Sequence, residues 1–336
     1  MKDVYILAVE TSCDETSLAI VKNGKEVIGL EVYTQMDTHA LYGGVVPEIA
    51  SRMHTEAITL VLESLLNKTK FDLKNIDAIA VTYAPGLMGG LLVGIEFAKT
   101  LSYIYKKPLI KVNHMVGHIY ANNIEDNLEF PLLAMVVSGG HTELVEMTGD
   151  YKFKLLGSTL DDAIGEAYDK VARVMNLPYP GGPNVEKLAK DGNVCYELGK
   201  PVNDDSFNFS YSGLKSSVIN LVHNMNQRNE EININDLAAS FQYYAVDEIT
   251  RKIDLALSKN EYKMVVLAGG VSANMYLREE VKKVTDKYNV RLCVPRMLYC
   301  TDNAAMIGAA AYPLFIQGKN IADFSLNAKS HISTVE

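Results

Sequence analysis

LAVETSCDETSLAIV, residues 7–21, is an apolar strand, a short turn of hydroxyl and acidic residues, and a second apolar strand. Two strand-like runs so closely joined predict a β-hairpin. The pattern returns without a gap at residues 133–147, LAMVVSGGHTELVEM, with identities at Leu7/Leu133, Ala8/Ala134, Ser12/Ser138, Thr16/Thr142 and Leu18/Leu144. For two strand pairs alone, this likeness is weak.

A second echo strengthens it. Residues 76–82 (IDAIAVT) form an apolar run, followed by the glycine loop APGLMGG, a helical stretch to about Tyr105, and the strand PLIKVN ending at His114. Residues 263–268 (KMVVLA) repeat the scheme, with Gly269, Gly270, a helix from about Ala273 and the strand VRLCVP. That strand leads to Asp302 and the helical TDNAAMIGAAAY. Strand, glycine turn, helix and strand make a parallel crossover unit. Two such units, each preceded by a hairpin, predict an α/β fold of two similar lobes with a cleft between them.

Helices are expected between these blocks. Residues 47–66 open with Pro47 and keep helical spacing at Ile49, Ala50, Met53, Ala57, Val61 and Leu65. Residues 161–176 and 236–258 are similar, and the polar NQRNEEININ (226–235) reads as an exposed loop.

The composition is that of a globular chain. Of its 336 residues 48% are hydrophobic and 22% charged, which excludes a disordered or collagen-like chain. No apolar run is long enough for a membrane span, and the N-terminus lacks a signal-peptide pattern, so folding is expected to begin at residue 4. Cys13, Cys195, Cys293 and Cys300 form no C-x-x-C pair, as expected of a reduced, cytoplasmic chain. The net charge of -9 argues against a stand-alone nucleic-acid binder, though a local basic patch or a partner could hold such a substrate.

Three groups of residues could carry chemistry. The turns TSCDET (11–16), SGGHT (138–142) and AGGVSAN (268–274) lack bulk and could cradle phosphate oxygens with backbone N–H groups, Thr11, Ser12, Cys13, Asp14 and Glu15 forming one such loop. The plainer reading is that their glycines only make tight turns. Neither a P-loop nor a Rossmann fingerprint occurs. In His114-Met115-Val116-Gly117-His118 the two imidazoles fall on one helix face, suited to a divalent metal or simply to a polar surface. Asp302, following the equivalent strand of the second lobe, would supply a ligand from the far side of the cleft. Met115 stands where an H-E-x-x-H zinc protease carries its glutamate base. Finally, Asp162, Glu166, Asp169 and Lys170 recur at helical spacing before the turn YPGGP, either as a solvated face or as a grip on ribose or amino groups.

The chain resembles the universal tRNA threonylcarbamoyl-transferase family, TsaD in bacteria, long labelled O-sialoglycoprotein endopeptidases. The likeness covers almost the whole chain, through ETSCDETS, YGGVVPEIASRMH, APGLMGGLLVG, NHMVGH, VSGGHTEL, LDDAIGEAYDKVAR, YPGGP, FSYSGLKS, LAGGVSAN and TDNAAMIG in the expected order. ETSCDET and HMVGH match the bacterial branch. Two departures are visible: Glu186 where many bacterial members carry aspartate, and a chain end soon after ISTVE. Neither bears on the expected activity.

The resemblance implies an actin-like (ASKHA), two-lobed α/β fold with duplicated lobes. The lobes are expected at 1–110, completed by C-terminal helix residues, and at 111–325 with helical insertions, before a tail at 326–336. It implies transfer of threonylcarbamoyl from threonylcarbamoyl-AMP to the exocyclic amine of the adenosine 3′ of the anticodon, in tRNAs reading codons that begin with A. It places one divalent metal, Fe2+ or Zn2+, on His114, His118 and Asp302. Val137, Ser138, Gly139, Gly140 and His141 would contact substrate, and Asp169, Gly182, Glu186 and Asn274 fall at adenylate-binding positions. ATP is a further candidate ligand. The implied partners are tRNA, a paralogous actin-like subunit (TsaB-type) and a small ATPase (TsaE-type), with no membrane. No side-chain nucleophile is required, because AMP is already a good leaving group; the base is left open between a carboxylate, a water and the leaving phosphate. An actin-like kinase, a metallopeptidase and a non-enzymatic scaffold are the competing classes, and the missing glutamate argues against the peptidase.

Overall fold

A computed structural model describes residues 2–199 and 205–332 of the chain. Its strands are β1 Tyr5–Glu10, β2 Glu15–Lys22, β3 Glu26–Thr34, β4 Ala78–Ala84, β5 Leu109–Asn113, β6 Leu132–Val137, β7 Thr142–Gly149, β8 Lys152–Ser158, β9 Met264–Ala268, β10 Arg291–Cys293 and β11 Ile321–Ala322. Its helices are α1 Met36–Ala40, α2 Pro47–Thr69, α3 Met88–Tyr105, α4 His114–Ala121, α5 Ile164–Val174, α6 Gly181–Ala189, α7 Ser212–Gln227, α8 Ile234–Lys259, α9 Met275–Lys287, α10 Met297–Cys300 and α11 Ala304–Gln317.

The duplication is real at the level of register. One sheet runs β11-β5-β4-β1-β2-β3 and the other β10-β9-β6-β7-β8, so hairpin, third strand and two crossover strands recur in the same order. In the first hairpin Ile6 faces Val21 and Val9 faces Leu18; in the second Leu132 faces Met147 and Met135 faces Leu144. Every pair keeps the ungapped alignment of the sequence. The parallel neighbours agree too, Leu7 beside Ile79 and Leu133 beside Val265. The third strands β3 and β8 were not foreseen. The strand β3, at the sheet edge, is nowhere fully buried and carries Glu26 and Glu31, and β8 carries two lysines, so neither is apolar along its whole length.

Contacts divide the chain into two units, one of residues 1–128 with 295–336 and the other of residues 129–294. The expected boundaries at 110 and 325 are thereby corrected. Residues 111–128 stay with the first unit because α4 continues directly from β5, and the chain returns to that unit at Pro295 because α11 packs on its sheet. The expected tail 326–336 is docked as far as it is described: Ala328 is buried, Leu326 and Ile332 join the first core, and the Lys329 N–H donates to the Tyr83 carbonyl at 3.0 Å. Residues 333–336 lie outside the described residues.

In the first unit, Leu7, Val9, Leu18 and Ile20 share a core with Ala57, Val61 and Leu65 of α2 and Leu91 and Ile95 of α3. The opposite sheet face receives α11, whose alanines and Gly308 permit close approach: a Cβ at Gly308 would lie 2.5 Å from Val21 Cγ2. With both faces covered, the central strands read as continuous apolar runs. Gly117 does the same for α4, since a Cβ there would come within 2.7 Å of Ile307 Cδ1 on α11. The first contact seats α11 on the sheet, and the second sets α4 against α11. The second unit builds its own core, from β6, β7 and β9 packed with α5 to α9.

Candidate functional site

The close packing of α4 on α11 brings His114, His118 and Asp302 together. Asn113 caps α4, its side chain accepting the Met115 and Val116 N–H groups, so His114 is the first helical residue and His118 follows one turn later. Asn303 caps α11 in the same way, accepting the Met306 N–H, which holds Asp302 at that helix's entrance. One ligand atom from each of the three lies within 4.8 Å of the others. His114 Nε2 is 3.4 Å and His118 Nε2 3.1 Å from Asp302 Oδ1. All three residues belong to the first unit. The expectation that Asp302 enters from the second lobe is therefore corrected, because the chain has already crossed back when it reaches α11.

The electrostatics are those of a paired cluster. Burial would raise the Asp302 carboxyl, but the two facing imidazoles hold it far below the usual carboxylate range. Burial would lower His114, and the Asp302 and Glu10 carboxylates outweigh it, raising that imidazole well above its ordinary value. His118, fully buried, is lowered chiefly by desolvation.

Do these residues fit a metal? His118 has no exposed surface, and neither of its ring nitrogens makes an aligned hydrogen bond, although Nε2 stands 3.1 Å from Asp302. Buried polar atoms are rarely left so. Two imidazoles and a carboxylate are a donor set suited to zinc or ferrous iron. They fit. Met115, at the place of a protease glutamate, is buried in the core.

The turn at Thr11–Glu15 is knit inward. Thr11 and Ser12 are buried; the Thr11 hydroxyl donates to the Gly90 carbonyl at 2.8 Å, and Ser12 Oγ lies 3.1 Å from His114 Nδ1. The Cys13 carbonyl accepts from His54 Nε2 at 3.0 Å, the Asp14 carbonyl accepts from the Gln35 N–H at 3.0 Å, and Thr34 reaches Glu15 at 3.5 Å. Burial pushes Cys13 and Glu15 upward, with neighbouring carboxylates adding to it. These hydroxyls are occupied within the protein, so this turn offers a phosphate little beyond backbone groups.

The remaining candidates gather at one end of the second sheet. A Cβ at Gly269 would meet the Val137 carbonyl, and one at Gly165 would meet Ser138 and Gly139, so the β6–β7 turn, the β9 turn and the start of α5 are neighbours. This is the carboxyl end of the parallel strands β6 and β9, where ligands of open α/β sheets are held. At Gly139, Gly140, Gly182 and Gly270 an added Cβ would meet nothing within 4 Å. Their surroundings leave room for another molecule's approach. Ser138 and His141 close the first turn, each donating a backbone N–H to the other residue.

The polar residues assigned to the adenylate hold helix ends. Asp169 accepts the Gly181 N–H at 2.7 Å at the start of α6, with burial raising its carboxyl overall. Glu186 accepts the Met275 N–H at 2.9 Å, and Asn274 caps α9 through the Leu277 N–H while donating to Gln242. Asp162 falls before α5 and pairs with Lys170 and Lys215, which leaves Glu166 and Lys170 as a helix-surface pair.

Sequence reasoning overlooked Glu10 and His54. Glu10 ends β1 as a fully buried carboxylate beside His114, and the only signal was an acid closing an apolar strand. His54 lies at a core position of α2, where its Nδ1 is 2.8 Å from the Thr16 hydroxyl.

The family model described as TsaD, tRNA N6-adenosine threonylcarbamoyltransferase, matches residues 26–309. The chain belongs to the TsaD family. It is similar to tRNA N6-adenosine threonylcarbamoyltransferases of Bacillus subtilis, 52% identical over 319 residues (94% of this chain, 92% of that one), and of Anoxybacillus flavithermus, 51% over 329 residues (97% and 96%). Among solved structures it is similar to full-length HypF in its phosphate- and nucleotide-bound form, with TM-score 0.63 and 15% identity, covering 93% of this chain and 46% of that one. The (R)-2-hydroxyglutaryl-CoA dehydratase component A of Acidaminococcus fermentans gives TM-score 0.54 and 13% identity, covering 92% and 98%. These likenesses show the fold alone, and it is the actin-like one expected of a TsaD chain.

Proposed function

We propose that this TsaD-family transferase moves the threonylcarbamoyl group of threonylcarbamoyl-AMP onto N6 of the adenosine 3′ of the anticodon, in tRNAs reading codons that begin with A. The amine nitrogen bonds to the carbamoyl carbon, the bond from that carbon to the phosphate oxygen breaks, and AMP leaves with the electron pair. The amine proton passes to a carboxylate, a water or the leaving phosphate.

The observation that carries this reading is the convergence of His114, His118 and Asp302 in a chain of this family. They would hold one divalent ion, Fe2+ or Zn2+, which when bound supplies Lewis-acid stabilisation of developing negative charge. His114 and His118 are fixed on one helix face by the Asn113 cap, so they are set in place before any ligand arrives. The open faces of Gly139, Gly140, Gly182 and Gly270 would receive the adenylate, with Val137, Ser138 and His141 shaping the first turn. Asp169, Glu186 and Asn274 support that surface by fixing α6 and α9.

Among the described residues no helix is long and apolar enough to cross a membrane. The acidic chain has little net positive charge to offer tRNA phosphates, which favours work alongside a TsaB-type subunit and a TsaE-type ATPase, and the reaction is assigned to the cytoplasm with its tRNA substrate. The test is incubation with unmodified tRNA and threonylcarbamoyl-AMP, with and without those partners, followed by nucleoside mass spectrometry. Formation of N6-threonylcarbamoyladenosine with stoichiometric AMP is expected. ADP release with phosphorylation of a small acceptor would select a kinase instead.

A further inference from the structure

Glu10 has no exposed surface, and both its oxygens are engaged. Oε1 accepts the Ser12 N–H at 2.7 Å; Oε2 accepts the Thr82 hydroxyl at 2.5 Å and faces His114 Nδ1 at 3.1 Å. A carboxylate kept wholly out of water is costly, and an amide, with a single oxygen, could not accept from Ser12 and Thr82 on two separate atoms as Glu10 does. What an ionised carboxylate adds is that it only accepts. The imidazole nitrogen opposite it must then carry the proton. Ser12 Oγ, also 3.1 Å from Nδ1, can donate or accept and so cannot impose this choice itself. With Nδ1 turned to Glu10 and protonated, Nε2, the nitrogen 3.4 Å from Asp302, is the one left to meet an ion.

We propose that Glu10 is a positioning residue that locks His114 in the Nδ1–H form and aims its Nε2 lone pair at the ion site. The inference rests on the metal reading above. It explains why an acid stands at the buried end of β1 and why Thr82, on the neighbouring strand, points its hydroxyl at it. Carboxylate partners of ligating histidines fix tautomer and ring orientation in this way, and their loss typically costs about 10–100-fold in metal affinity.

The test uses the full chain stripped with EDTA and Zn2+ alone as probe, in competition with a chromophoric chelator. Glu10→Gln keeps the volume but can turn an NH2 toward Nδ1 and favour the opposite tautomer. It is expected to weaken Zn2+ about 10–100-fold. In 15N spectra of the imidazoles, His114, assigned by its loss in His114→Gln, should be protonated at Nδ1 in the wild type and lose that signature in Glu10→Gln. Zn2+ affinity within threefold of wild type in folded Glu10→Gln would overturn the proposal. So would an unprotonated Nδ1 in the Zn2+-loaded wild type, a measurement that needs no variant to fold. Wild type that binds no Zn2+, or His114→Ala that binds it as tightly, would remove the metal reading and this inference with it. Failure of Glu10 alone shows as wild type binding, His114→Ala not binding and Glu10→Gln unimpaired.

Discussion

Gly269 stands so close to Val137 that a Cβ on it would lie 2.3 Å from the Val137 carbonyl oxygen. Its backbone, at φ 88° and ψ 166°, occupies a region essentially reserved for glycine. Gly269→Ala is therefore expected to cost about 1–3 kcal/mol from backbone strain, with the collision adding to it. Urea denaturation should show a lower midpoint with unchanged slope; an unaltered midpoint would contradict the geometry.

The adjacent Gly270 should behave in the opposite way. Nothing lies within 4 Å of a Cβ there or at Gly140. Gly270→Val and Gly140→Val should leave stability within about 0.5 kcal/mol of wild type, as surface changes usually do. AMP binding by calorimetry should nevertheless be lost. Undiminished affinity in both folded variants would move the adenylate elsewhere.

Replacing a ligand separates metal from fold. His114→Ala and Asp302→Ala should lower bound iron or zinc to background and abolish transfer, while far-ultraviolet circular dichroism stays native. A double variant, shown to be metal-free, that modified tRNA at the wild-type rate would exclude the ion from the mechanism. Casein and glycoprotein cleavage should be absent from wild type and variants alike.

His54 supplies a pH signature away from the ligand cluster. Its burial lowers the imidazole below the ordinary 6.5, outweighing the Cys13 carbonyl and the Glu10 carboxylate that pull it upward, and the Thr16 hydroxyl 2.8 Å from Nδ1 can donate to the neutral form. The unfolded chain then binds more protons in mild acid, so this contribution to stability is complete above about pH 6.5. It falls as pH drops from there through the lowered folded value. Proton-detected titration should place the His54 midpoint below 6.5; a midpoint at or above 6.5 would refute the assignment.

Sustained turnover should require partners. The purified chain with threonylcarbamoyl-AMP and tRNA should be markedly slower than the mixture with TsaB-type and TsaE-type proteins, and the rate should fall as salt rises, wherever the phosphate contacts reside. Equal multiple-turnover rates with and without partners would show the chain to be self-sufficient.

The duplicated hairpins were legible because Leu7–Ile20 and Leu133–Glu146 pair in one register that an ungapped alignment preserves. Histidines four residues apart, followed much later by Asp302, were legible as donors. Which unit Asp302 serves was not, because the strand before it is only three residues long and the small residues that seat α11 on the first sheet give no directional signal. His54 hid for another reason: a histidine at an apolar-stripe position looks like a break in the pattern until Thr16 and Cys13 are seen beside it. Asp169 and Glu186 show the converse, since the helix-end N–H groups they accept belong to residues 12 and 89 positions away, whereas the Asn274 cap is local.

The first unit is interrupted by the whole of the second, and this orders events on the ribosome. Residues 129–294 are continuous and can assemble as soon as they emerge. The first unit, although its hairpin is made earliest, must wait with one face of its sheet uncovered until α11 is synthesised. Asp302 arrives at the same late moment. A nascent chain stalled between His118 and Asp302 holds both histidines without the aspartate, so the helix that covers the oldest sheet also completes the three-residue cluster.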